Sequence, residues 1–452
     1  MRQEGRIREL EFESVPKLLW KYFLPAFAGV IINSLYNIVD RIFIGQGVGA
    51  LALAGLSAIF PVMIIMMAFG MMVGMGAGVR ISINLGKKDF ERAEQVLGNA
   101  FILMIVVSAI ITAIGFLISD PLLQFFGVNQ QTYDYAKEYL YIILGGSIFN
   151  ILGYALNNLI RSEGSANVAM ISMLISAGLN ILLDYIFIIH LEMGVKGAAY
   201  ATVLSQVVLT VWVIAHFKSK RSVIKLRNCR LKLKGDIVWY IISIGFAPFS
   251  MQLASSAVFG IYNIQLIKYG SDMAIGAMGV IISITMLLVM TIMAITMANQ
   301  PIIGFNVGAK KYKRVKQTLL VSIVSATVIS LIGFVIAQVL PVPIIRLFNN
   351  EDAELLRIGI KGLRIFLLAL PFIGFQIVMG NYYQSIGKAG VSAFLSLLRQ
   401  VIFLIPLLFI LPNYYGLNGV WFSAPVSDTM AALVCVCFMI KEFRKLNKAT
   451  AA

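Results

Sequence analysis

Asp184 lies inside Gly178-Leu179-Asn180-Ile181-Leu182-Leu183-Asp184-Tyr185-Ile186-Phe187-Ile188, in the middle of an apolar run long enough to cross a bilayer. A carboxylate at the centre of a membrane helix costs roughly 3 kcal/mol, so it persists where it pairs, faces water or binds something. Asn180 comes one helical turn earlier and shares its face. A second lone carboxylate, Asp40, closes a stripe of Asn33, Asn37 and Asp40 at steps of four and three, with Tyr36 beside it. Two carboxylates and an amide oxygen are hard oxygen ligands of the kind that hold Na⁺. Two neighbouring carboxylates can equally share a proton. The residue types therefore suit either ion.

The elements that position these residues follow from composition. The chain has 452 residues, 59% of them hydrophobic and only 13% charged, with a mean hydropathy of +0.87. That leaves too little polar surface to coat a soluble globule. A bilayer span needs ~20 apolar residues, and the sequence offers about twelve such runs between short polar breaks. Backbone groups in lipid must bond within their own segment, and alternating barrel strands are absent, so the expected fold class is all-α, a polytopic membrane protein with twelve transmembrane helices. In the first half the spans are expected over 16–45, 51–83, 95–118, 134–158, 168–190 and 195–217. The second of these is dense in Met and Gly, including Met66, which suits a cavity for varied ligands as well as ordinary close packing.

The net charge of +16 would suit nucleic acid, but the basic residues fall in short breaks between spans. Lys and Arg occupy alternate breaks, as expected of cytoplasmic loops, from Arg2, Arg6 and Arg8 through Lys87, Lys88 and Arg92 to Lys441 and beyond. Both termini are predicted to be cytoplasmic, in a multi-pass protein of the cytoplasmic (inner) membrane. The N-terminal apolar run continues beyond a signal-peptide core, so no cleaved leader is expected. The bilayer is the expected surrounding partner, and nucleic acid is not.

The longest hydrophilic connector, Lys218 to Asp236, separates two similar halves. Leu24-Pro25-Ala26-Phe27 is matched by Ala247-Pro248-Phe249-Ser250, and Leu85-Gly86-Lys87-Lys88-Asp89-Phe90 by Val307-Gly308-Ala309-Lys310-Lys311-Tyr312. Gly194-Val195-Lys196-Gly197 pairs with Gly416-Leu417-Asn418-Gly419, and Arg161-Ser162-Glu163-Gly164 with Gln384-Ser385-Ile386-Gly387. The offset stays near 222 residues. Six spans per half with like-sided basic loops give two parallel repeats, a transporter architecture. The domains expected are a six-helix lobe over 1–217 carrying the ion site, a basic cytoplasmic linker over 218–235 and a second six-helix lobe over 236–452. At the same offset Asp40, Asn180, Asp184 and Thr202 fall opposite Asn263, Ile402, Pro406 and Ala424. The repeat thus tolerates uncharged residues there, so packing alone does not demand the first-half carboxylates.

These features together resemble the multidrug and toxic compound extrusion (MATE) transporters, in the branch with the DNA-damage-inducible and staphylococcal multidrug members. The resemblance covers nearly the whole chain and rests on the two six-span halves, the Leu-Pro start of the first span followed by Asp40, the paired Gly-Lys-Lys-Asp and Gly-Ala-Lys-Lys loops, and the Asn180/Asp184 pair. It implies a cation site in the first lobe made by Asp40, Asn180, Asp184 and Thr202, with Na⁺ held by these four and Tyr139 nearby. Tyr135 and Tyr141 lie close enough in sequence to exchange with Tyr139. The implied activity is secondary active export of amphipathic, often cationic small molecules by alternating access, driven by Na⁺ or H⁺ moving inward, by a monomer without a cofactor.

The candidate substrate cavity comprises Tyr36, Asn37, Met66, Asn157, Gln265, Arg399 and Asp428. Arg399 and Asp428 are compatible with a buried ion pair, and Asp428 equally with a counter-charge for cationic compounds. Arg80 and Arg161 read as anchors at the cytoplasmic ends of spans, and His190 and His216 as structural residues. The alternative function within the superfamily, a lipid-linked saccharide flippase, predicts a cavity rich in Arg and Lys. A membrane-embedded enzyme is disfavoured because no metal-binding His-Glu motif, serine nucleophile context or nucleotide loop is present. Cys229, Cys435 and Cys437 have no disulfide or metal spacing and read as small core residues.

Overall fold

The structure, a computed structural model, describes residues 2–126, 128–227, 233–347 and 353–451; Cys229 lies outside these. Among the described residues every regular element is helical. A short lead, α1 (Arg2–Phe12), precedes α2 (Val15–Gly47), α3 (Ala50–Gly86) and α4 (Phe90–Leu117). The short α5 (Ser119–Phe125) then leads to α6 (Tyr133–Gly145) and α7 (Ser147–Ser162). The first half closes with α8 (Ala166–Asp184), continued by a π-helical turn at Tyr185–His190, and α9 (Gly194–Lys218). The second half repeats the order: α10 (Gly235–Tyr269), α11 (Asp272–Gly308), α12 (Tyr312–Val339), the short α13 (Pro341–Arg346), α14 (Ala353–Phe366), α15 (Leu370–Ser385) and α16 (Ala389–Leu397). A π-helical stretch at Leu398–Leu404 runs into α17 (Ile405–Tyr415), and α18 (Leu417–Ala451) ends the series.

Among the described residues ten helices are long and apolar enough to cross a bilayer. The pairs α6/α7 and α14/α15 also qualify when each is taken as one span, bent by 57° and 49°, and this brings the number to twelve. The fourth span, expected as one run over 134–158, is therefore broken at Gly145 and Gly146. Hydropathy stays high across such a break, so only the geometry reveals it.

Backbone conformation carries the repeat more clearly than sequence identity does. Left-handed residues recur at Lys88 and Lys310, at Gly164 and Gly387, and at Gly194 and Gly416. These separations are 222, 223 and 222 residues, so the same turns close the same helices twice. Lysine in this conformation is unusual and costs about 1 kcal/mol, so the turn itself is the repeated element. Local capping differs between the copies. Asp89 accepts from the Arg92 amide at 2.9 Å to cap α4, whereas Lys311 provides no side-chain cap for α12.

The chain divides into two compact units, one of Met1–Glu13 with Leu24–Phe249 and the other of Ser14–Phe23 with Ser250–Ala452. The boundaries fall beside the repeat-related Pro25 and Pro248, inside α2 and α10. Proline lacks the amide of the helical ladder and crowds the carbonyl four residues back. The two segments of each of these helices lie in different units, and the charged connector stays with the first.

In the first unit α3 packs against α4, α6 and α7, and α8 against α9. The second unit repeats this with α11 against α12, α14 and α15, and α17 against α18. Gly76 on α3 and Gly245 on α10 face each other's backbone so closely that a Cβ at either would overlap a main-chain carbonyl. Small residues at this crossing are what membrane helix packing uses for close approach. The first unit has a core around Ile59, Met66, Tyr139, Leu140 and Ala198, and the second one around Leu266, Ile281, Leu363 and Trp421.

Candidate functional site

Four elements of the first unit converge on the sequence-predicted cation ligands. Asp40 comes from α2, Tyr139 from α6, Asn180 and Asp184 from the end of α8, and Thr202 from α9. Asp184 is the last residue before the π-helical turn at Tyr185–His190 and is fully buried. Such turns widen the helix and are frequent at functional sites. Asn180, Thr202 and Tyr139 are also buried. The Asn180 amide lies 3.5 Å from the Thr202 hydroxyl, which joins α8 to α9 loosely. The phenol of Tyr139 faces that same hydroxyl and lies in the field of both carboxylates.

The carboxyl groups of Asp40 and Asp184 face each other directly. Yet Asp40 Oδ1, Asn180 Oδ1 and both Asp184 oxygens are shielded from solvent and accept no hydrogen bond. All four are acceptors, and no donor enters among them. A buried polar atom without a partner costs about 1–3 kcal/mol, and more where it is charged. Together the four oxygens, on three side chains, form a cluster rich in acceptors and poor in donors.

Tyr36 and Asn37 sit on α2 within a turn of Asp40. Tyr36 lies in the field of Asp40 and Asp184, while Asn37 donates to the Asn33 carbonyl at 2.6 Å. Tyr141, by contrast, is turned out to Phe116 and Ser119, so the exchange left open by sequence spacing does not concern it.

Two residues expected in the substrate cavity are packed between helices of the first unit. Met66 is buried in the first unit's core beside Tyr139, where its flexible thioether fills space between helices. Asn157 donates to the Ala169 carbonyl at 2.9 Å and Ser172 Oγ at 2.8 Å, and accepts from Arg161 at 2.8 Å, tying α7 to α8. Arg161, in the last turn of α7, is buried and donates to Asn157. Arg80 stacks over the Tyr240 ring at 4.3 Å.

In the second unit Arg399 and Asp428 form an ion pair at 3.4 Å, with Asp428 buried and Arg399 partly open. The Ser427 hydroxyl donates to the Arg399 carbonyl at 2.6 Å, and Gln376 donates to the Asp428 carbonyl at 2.6 Å. Gln400, next to Arg399 in the π-helical stretch, accepts from Ser255 at 3.0 Å. Gln265 and Tyr262 are buried on α10, with Gln265 Oε1 and the Tyr262 hydroxyl unbonded. Tyr262 lies in the field of the Arg399–Asp428 pair.

One site was missed from sequence. Glu163, in the turn after α7, is buried and accepts from Ser165 at 2.8 Å, His216 at 2.6 Å, Ser222 at 2.6 Å, and the Val223 and Ile224 amides at 2.9 and 3.3 Å. Arg6 of α1 stands 3.8 Å away and also donates to Ser165 Oγ and the Arg221 carbonyl. The knot ties α1, the α7–α8 turn, the end of α9 and the connector together. A usable signal was present, because the repeat places Ile386 opposite Glu163.

The MatE family model matches residues 25–186 and 248–410, one copy in each half. The chain belongs to the MATE family. It is 28% identical over 434 residues to the multidrug export protein MepA of Staphylococcus haemolyticus, covering 96% of this chain and 95% of that one. It is 27% identical to MepA of Staphylococcus aureus strain MSSA476, with 94% of each chain covered. Among solved structures it resembles the MATE multidrug transporter DinF-BH in complex with R6G, at 39% identity and a TM-score of 0.88 over 95% of this chain and 96% of that one. It also resembles a MATE protein in the bent conformation, at 26% identity and a TM-score of 0.92 over 99% of each chain. A MATE protein is a transporter and not an enzyme, and this one crosses the membrane many times.

Proposed function

We propose that this MATE protein is a multidrug exporter that couples inward movement of Na⁺ or H⁺ to efflux of amphipathic, often cationic compounds. The observation that carries this reading is the group of four buried acceptor oxygens on Asp40, Asn180 and Asp184 that no donor satisfies. Entry of a cation or of protons neutralises this group, removes its demand for water and lets the surrounding helices close. Loss of the ion to the cytoplasm recharges it. The carboxylates thereby convert an ion gradient into a preference between conformations, and the twofold repeat supports alternating access as the motion that follows.

Tyr36 and Asn37, beside Asp40, are the first-unit residues best placed to pass from ion to substrate. In the second unit Arg399, Asp428 and Gln265 are a separate set of buried or partly buried polar side chains. The relatives named for multidrug export support a small-molecule substrate. The alternation of basic and neutral breaks supports both termini in the cytoplasm and an inner-membrane location. A monomer is sufficient, since all the proposed ion ligands belong to one lobe.

The test is efflux of a cationic dye from proteoliposomes under an imposed Na⁺ or proton gradient, with wild type beside Asp40→Asn and Asp184→Asn. Each variant is expected to lose at least about tenfold of gradient-driven export, and the gradient that drives wild type identifies the ion. Full ion-coupled export by both variants would remove the first-lobe site from the mechanism.

A further inference from the structure

The C-terminal two-thirds of α18 carries two stripes on one face. Met430, Leu433, Cys437 and Ile440 are exposed and apolar, and recur at helical spacing. Directly beyond them, on the same face, come Lys441, Arg444, Lys445 and Lys448, all exposed. The cations and the last two apolar residues line one shallow depression.

The charges on this face are uncompensated. The two acidic residues of α18, Asp428 and Glu442, point elsewhere: Asp428 pairs with Arg399, and Glu442 accepts from Lys388 at 2.7 Å. Other basic residues near this end are engaged, as where Lys316 donates to Asn447 at 2.7 Å and Arg314 to Asn306 at 3.1 Å. Among the described residues none of Lys441, Arg444, Lys445 or Lys448 has an ion-pair partner. Setting the topology of a loop requires positive charge but does not require it on one helical face. Four cations in register with an exposed apolar stripe match a molecule with an anionic head and a hydrocarbon tail.

We propose that this face of α18 binds an anionic phospholipid, its headgroup phosphate held by the four cations and its acyl chain laid along Met430, Leu433, Cys437 and Ile440. The inference is independent of the coupling ion and of the transported substrate. Juxtamembrane cations each add to the attraction for anionic lipid, and the attraction falls off within a Debye length.

The test uses the purified full-length protein, delipidated in detergent and offered equal phosphatidylglycerol and phosphatidylcholine, with retained lipid read by native mass spectrometry. Wild type is expected to prefer phosphatidylglycerol by roughly tenfold, and the K441Q/R444Q/K445Q/K448Q variant to lose that preference. A charge-matched control, K87Q/K88Q/K310Q/K313Q, is expected to keep it. Should the fourfold variant fail to fold, K441Q/K445Q and R444Q/K448Q separately are expected to lower the preference about threefold each. Equal retention of both lipids by wild type, or an unchanged preference in the folded α18 variants, overturns the proposal. Displacement of the lipid by millimolar inorganic phosphate also overturns it, because the face would then be a site for soluble anions.

Discussion

Glu163 and Asp184 are both buried carboxylates of the first unit, and the fold treats them in opposite ways. Every approach to Glu163 is filled by a donor: two hydroxyls, an imidazole and two backbone amides, with Arg6 at 3.8 Å. Asp184 meets another carboxylate, and neither of its oxygens accepts a hydrogen bond. Burial alone therefore does not distinguish a structural acid from one proposed to hold a moving ion. The donor inventory does. Asp428 lies between the two, with one cation at 3.4 Å that is itself partly open to solvent.

If this comparison is right, thermal unfolding in detergent should rank the three sites. Glu163→Ala is expected to be the most damaging, at about 3–5 kcal/mol, because it strands buried donors and unties the connector from α1 and α9. A loss below about 1 kcal/mol would mean that the knot is no more than a set of surface contacts.

The second unit provides the intermediate case. Arg399→Leu leaves Asp428 buried without its cation and should cost about 2–3 kcal/mol. Asp428→Asn should cost less, since Arg399 can turn toward water. Equal effects of the two substitutions would show that neither side of the pair is the buried one.

Asp184→Asn is expected to move stability in the opposite direction. Replacing one of two facing carboxylates by an amide supplies a donor where none exists, so unfolding should rise by up to about 1 kcal/mol. Any stabilisation of wild type by added Na⁺ should disappear with it. Destabilisation comparable to that of Glu163→Ala would place Asp184 among the structural acids.

Much of this was legible in the sequence because it depends on periods and offsets. Span number follows from hydropathy, and the repeat from an offset of 222 that the left-handed Lys88 and Lys310 reproduce in the backbone. Asp40, Asn180 and Asp184 stand out in the sequence as polar groups in lipid-length apolar runs, and the resemblance to MATE transporters adds Thr202 to the proposed set. The bends at α6/α7 and α14/α15 were not, since a change of direction leaves hydropathy untouched. The π-helical turn after Asp184 was equally hidden, because one wider turn barely alters a pattern of period 3.6. Met66 and Asn157 show the converse limit: residue type suits a cavity, but only three-dimensional packing shows that one fills a core and the other staples α7 to α8. Glu163 was overlooked because its donors come from Ser165, His216 and the connector, spread over some sixty positions of sequence.

The smallest effect belongs to an acid outside the spans. Asp120 on α5 accepts from the Tyr133 hydroxyl at 2.6 Å and pairs with Lys137 at 2.9 Å. The Tyr133 hydrogen bond first, and then Lys137, hold its pKa below the ordinary aspartate value. A carboxylate with a depressed folded pKa contributes stability above its unfolded pKa and loses it as pH falls through the folded one. Asp120→Asn should therefore match wild type in strongly acidic buffer and fall slightly below it near neutrality, with the gap narrowing in high salt because the site is exposed. A gap that persisted below the aspartate range would mean that Asp120 acts through its shape and hydrogen bonding, and that its charge contributes nothing.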